Sequence, residues 1–83
     1  MSKITAYIMI NVEVGKTAHV FNMLQKLDFA ELVSVTAGEF DIIVRVTVDS
    51  LEELFYKTEE IHGIDGVSRT LTLIVEKEAK RED

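Results

Sequence analysis

Three features of the sequence predict an α+β domain of the ferredoxin-like βαββαβ type, a four-stranded antiparallel sheet with two helices on one face. Apolar residues alternate with period two in four segments and recur with helical spacing in two others. The order of the six segments makes two βαβ halves of similar length. A chain of 83 residues has room for one such core and not for two.

The first strand covers Ile4 to Val12, where Ile4, Ala6, Ile8, Ile10 and Val12 alternate with Thr5, Tyr7, Met9 and Asn11. After Gly15 the period lengthens. Val20, Phe21, Leu24 and Leu27 form the apolar stripe of a helix that begins near Thr17 and ends about Leu27 or Asp28. A β-branched stretch from Leu32 to Thr36, the turn Ala37-Gly38-Glu39-Phe40 and the alternating run Asp41 to Val48 form a hairpin. Ser50 followed by Glu53 is a capping-box pair that opens the second helix, whose stripe is Leu51, Leu54, Phe55 and Ile61. Gly63 closes it as a residue able to take a left-handed helix terminus. The last strand runs from about Val67 to Val75, with Leu71, Leu73 and Val75 on one side and Ser68, Thr70, Thr72 and Ile74 on the other. Residues 1–76 thus make the domain, and 77–83 a charged tail expected to be solvated.

Right-handed crossovers put both helices on one face of the sheet. The other face is expected to expose Tyr7, Met9, Ile43 and Ile74 beside Thr5, Arg45, Thr70 and Thr72, more apolar surface than a lone monomer leaves wet. A second copy packed face to face would bury it, giving a dimeric α+β barrel. Composition points the same way. Hydrophobic residues are 47% and aromatics 7%, so the core is built mainly from Val, Ile and Leu. A small core without disulfides or metal gains stability by association.

A net charge of −6 is the reverse of the basic footprint that phosphate binding requires, which argues against direct nucleic-acid contact. The absence of Cys removes thiol nucleophiles and cysteine metal sites and suits a reducing compartment. No apolar run approaches the ~18 residues of a membrane span, and no signal-peptide pattern opens the chain. A cytoplasmic protein without cofactors is expected. His19 and His62 are isolated surface histidines, His62 placed favourably at a helix C-terminus. Glu52-Glu53 and Glu59-Glu60 lie on solvent faces and not in an acid-base pair. Val14-Gly15-Lys16-Thr17 has the ending of a phosphate loop, but Ile10 stands where that loop needs its first Gly.

One segment stands out physically: Gly38-Glu39-Phe40-Asp41 before the unbroken run Ile42-Ile43-Val44. An Asp heading a buried strand needs a hydrogen-bond donor or a cation. It can cap its own turn, or it can receive a ligand. Thr70 and Thr72, two apart, can present paired hydroxyls or serve simply as good sheet formers.

Thr36-Ala37-Gly38-Glu39-Phe40-Asp41-Ile42-Ile43-Val44 and Gly66-Val67-Ser68-Arg69-Thr70-Leu71-Thr72-Leu73-Ile74-Val75 resemble the two signature segments of the effector-binding RAM domain of the Lrp/AsnC family of regulators. The resemblance runs from Thr5 to Val75. Ala37 stands where the family usually has Thr, and Val14 where Pro often precedes Gly15. The family usually places a helix-turn-helix domain before this module; here nothing precedes the first strand, so the chain resembles a stand-alone RAM protein. The resemblance implies dimers joined through their sheets, further assembly into rings, and small amino acids bound at contacts between dimers. It implies a site drawn from Gly38, Phe40, Asp41, Thr70 and Thr72. An amino acid would offer its ammonium to Asp41 and its carboxylate to the Gly38 N–H and the two hydroxyls.

The expected function is an amino-acid-sensing, oligomerising module that modulates regulators or amino acid metabolism, with full-length Lrp/AsnC proteins as possible partners. Two alternatives share the fold. A small α+β barrel enzyme such as an oxygenase would have Asn11 and Tyr7 as its few polar or aromatic holders. A purely structural assembly unit would have an empty pocket.

Overall fold

The computed structural model describes residues 3–81. Its elements follow in the order β1 (Ile4–Val12), α1 (Thr17–Gln25), β2 (Leu32–Val35), β3 (Ile42–Val48), α2 (Leu51–His62) and β4 (Val67–Ile74). The strands form one sheet in the order β2-β3-β1-β4, every pair antiparallel. The α+β class and the βαββαβ order are those the periodicities predict.

The core lies between sheet and helices. Ala6, Ile8 and Ile10 of β1 and Ile42, Val44, Val46 and Val48 of β3 bury one face of the two central strands. Val20 and Leu24 of α1 and Leu54 and Ile61 of α2 close over them. These are the even positions of β1 and β3 and the stripes of the helices, so alternation and helical period converge on one apolar layer. No polar or charged residue is buried among the described residues.

Helix ends follow local chemistry. Ser50 Oγ accepts the Glu53 N–H at 3.1 Å, and Glu53 Oε1 accepts the Asp49 N–H at 2.9 Å, so the capping pair opens α2 as expected. The first helix stops at Gln25, short of Leu27, because the Lys26 and Leu27 amides bond three residues back instead of four. Leu27 still packs against the core. Gly63 ends α2 with φ −80°, not in the left-handed region expected of it. That conformation falls to Gly66, whose φ is +103° and where a Cβ would stand 2.9 Å from Lys16 Cβ and 3.0 Å from Val20 Cγ2. The chain needs glycine where β4 starts against the foot of α1.

The register of β4 reverses the expected faces. Thr70, Thr72 and Ile74 stand opposite Ile10, Ile8 and Ala6, on the helix side, while Leu71 and Leu73 stand opposite Met9 and Tyr7 on the uncovered side. A register shift between Asn11 and Val12 sets this phase. Alternation alone assigns the more apolar row to the core. Here β4 is an edge strand with α2 above it, and the leucine row faces outward. The described tail residues 76–81 are exposed, as expected, but Glu78 folds back onto the sheet. Met1, Ser2, Glu82 and Asp83 lie outside the described residues.

Candidate ligand-binding site

The loop between β2 and β3 is fixed to the end of β1. Thr36 Oγ1 donates to the Phe40 carbonyl at 2.7 Å and the Thr36 N–H to the Asp41 carbonyl at 2.9 Å, closing the turn on itself. Gly38 holds φ +145° within it, and a Cβ there would meet nothing within 4 Å. The Asp41 N–H donates to the Ile10 carbonyl at 2.9 Å. The Val12 N–H donates to Asp41 Oδ2 at 2.9 Å. Asn11 Nδ2 adds a bond to the Glu39 carbonyl at 2.8 Å. Asp41 therefore clamps the end of the neighbouring strand and does not cap its own turn. Its Oδ1 has no hydrogen-bond partner among the described residues.

Gly38, Phe40 and Asp41 come together in this loop; Thr70 and Thr72 do not join them within one chain. The threonines lie on the helix-covered side of β4, where Thr70 Oγ1 is 3.4 Å from His62 Nδ1. The residue of β4 that meets the loop is Arg69, whose guanidinium lies over the Phe40 ring at 5.7 Å. Sequence reading missed it, because an Arg in an alternating strand carries no signal of its own. Ser68 Oγ donates to the Asn11 carbonyl at 3.1 Å and ties the same corner.

The uncovered face has two halves. Met9, Ile43, Leu71 and Leu73 form an apolar half, with Leu71 41% and Leu73 47% exposed. The other half is a polar cluster around Arg45. Arg45 Nη1 donates to Glu31 Oε1 at 2.6 Å and Nη2 to Glu78 Oε1 at 3.1 Å. The Tyr7 hydroxyl donates to Glu78 Oε2. That hydroxyl first, and then the guanidinium of Arg45, hold the Glu78 carboxyl below the usual carboxylate range. A cleft of about 420 Å³ opens beside the cluster. No group of His, Cys, Asp and Glu suited to a metal ion occurs among the described residues.

The model of the Lrp/AsnC ligand binding domain matches residues 5–83. The chain belongs to the Lrp/AsnC family. Its matched relatives include the HTH-type transcriptional regulator FL11 of Pyrococcus furiosus, 37% identical over 76 residues, which span 89% of this chain and 49% of the regulator. The chain thus spans about half the length of the curated relatives it matches. Among solved structures, FFRP-DM1 is 32% identical with a TM-score of 0.80, the match covering 87% of this chain and 97% of that one. The Neisseria meningitidis regulator NMB0573, solved as an L-Met complex, shares the fold at a TM-score of 0.84 and 16% identity, over 94% of this chain and 53% of its own. Domains of the Lrp/AsnC family are the ligand-binding units of transcriptional regulators. No helix among the described residues of this member is long and apolar enough to cross a membrane.

Proposed function

We propose that this Lrp/AsnC domain is a self-assembling amino-acid sensor that acts in the cytoplasm through protein partners, full-length Lrp/AsnC regulators among them. It neither catalyses a reaction nor contacts DNA. The observation that carries this reading is the Asp41 carboxylate. One oxygen is committed to Val12 and the other is unbonded among the described residues, so the loop is already rigid and keeps an acceptor for an ammonium group. An amino acid places its ammonium there and its carboxylate on the Gly38 N–H, with Phe40 beside it. Thr70 and Thr72 belong to the opposite side of the sheet. They complete the site from another copy, which puts the ligand between dimers of a ring. The L-Met complex of the Neisseria regulator supports an amino acid as the ligand class.

Self-association is supported by the reversed β4, which turns leucines outward beside Met9 and Ile43. The oxygenase alternative loses its two holders to structural bonds, because Asn11 binds the Glu39 carbonyl and Tyr7 binds Glu78. Equilibrium dialysis against the twenty amino acids, at a protein concentration where the chain is assembled, tests the proposal. Saturable retention of at least one small amino acid is expected. Retention of none would leave a purely structural assembly unit.

A further inference from the structure

We propose that Glu78 makes the C-terminal tail part of the self-association surface by satisfying the donors of Arg45 and Tyr7, so that the uncovered sheet face can pack on a second copy. This rests on the face-to-face dimer of the proposed function. Arg45 sits mid-strand on β3, paired across the sheet with Tyr7 of β1 and Leu32 of β2. It lies beside the apolar half of the face, so a second copy that covers Met9, Ile43, Leu71 and Leu73 also strips water from Arg45 and Tyr7. A guanidinium and a phenol can be desolvated only with acceptors in place. The sheet and its loops supply one, Glu31, which also accepts from Thr47 Oγ1 at 3.0 Å. The tail supplies the other, and both oxygens of the Glu78 carboxylate are used.

The contact is well formed for an otherwise irregular segment. The Arg45 side chain is 28% and that of Glu78 38% exposed. Ala79 and Lys80 extend the tail along the same cleft. The charged and titratable groups facing Glu78 are Arg45 from β3, Tyr7 from β1, Glu31 from the loop before β2, and Lys80 of the tail. Partner contacts lower the folded-state pKa of Glu78 below its ordinary 4.5. Its contribution is therefore complete above pH 4.5 and is lost as pH falls through the depressed folded value. Acid should loosen the assembly through this group.

Sedimentation equilibrium of the full chain, of Glu78→Gln and of Glu76→Gln is the test. The two variants change the net charge equally, but only Glu78→Gln removes an acceptor from the face, since an amide cannot receive hydrogen bonds at both of its atoms. Glu78→Gln should raise the dimer dissociation constant roughly tenfold at pH 7, with Glu76→Gln unchanged. The acid-induced loosening expected of the full chain should be absent from Glu78→Gln. A Glu78→Gln protein that associates as tightly as the full chain overturns the inference. Tighter association overturns it too, since the tail would then compete with the second copy. If all three proteins remain monomeric, the face-to-face dimer itself fails and this inference with it.

Discussion

Replacing Asp41 by Asn and by Ala separates two roles of one carboxylate. The Val12 N–H donates to Asp41 Oδ2 at 2.9 Å, and an amide oxygen can accept the same bond. Asn therefore exchanges a charge-assisted hydrogen bond, worth about 1.5–3 kcal/mol, for a neutral one worth about 0.5–1.5 kcal/mol, a loss of about 1 kcal/mol. Ala removes the acceptor and leaves the Val12 N–H unpaired, at a cost of about 1–3 kcal/mol. Val12 is half-buried, so water recovers part of that and about 2 kcal/mol is expected. In a domain of this size each kcal/mol lowers Tm by about 4–8 °C, so thermal melts should place Asn clearly above Ala. Ligand binding should rank differently. Both variants lose the charge proposed to receive the ammonium, so calorimetric titration with the best-retained amino acid should show Asn about ten- to a hundredfold weaker than the parent. An Asn variant that binds as tightly as the parent would reduce Asp41 to a clamp on β1. An Ala variant that melts with the parent would refute the clamp.

Gly66→Ala should lower stability by about 2–5 kcal/mol, because a positive φ costs about 1–2 kcal/mol and overpacking against Lys16 and Val20 adds about 1–3 kcal/mol; urea denaturation measures it. Gly38→Ala should cost only the conformational part, about 1–2 kcal/mol, since a Cβ there meets nothing within 4 Å. Ile43→Asp, opposite Met9 on the uncovered face, should give a folded monomer near 9.4 kDa by light scattering at micromolar concentration, and an intact dimer would contradict the assigned interface. With a net charge of −6, the chain should shift no DNA duplex in a gel at physiological salt.

The central strands and both helices were legible because each is amphipathic with a single period. Ile8, Ile10, Val44 and Val46 have no alternative burial that keeps their neighbours wet. The edge strand was not legible in the same way. Both rows of β4 are mixed, and the uncovered face is itself half apolar, so hydrophobicity could not choose the inward row; the register shift at Asn11 and Val12 did. That phase carried Thr70 and Thr72 away from the loop and brought Arg69 to Phe40. Asp41 was legible as a carboxylate in need of a donor, but the donor, Val12, is 29 residues away in the chain and no local pattern names it. Glu78 gave no signal, since a charged residue beyond the last strand reads as solvated until Arg45 and Tyr7 are placed beneath it.

The proposed amino acid site is completed between copies of the chain, so binding requires assembly. Calorimetric titration of the parent and of Ile43→Asp, each with the amino acid best retained in dialysis, tests it most directly. Saturable binding by the assembled parent and none by the folded monomer is the predicted result; equal affinity in the two would show that one chain holds the whole site and would contradict the account.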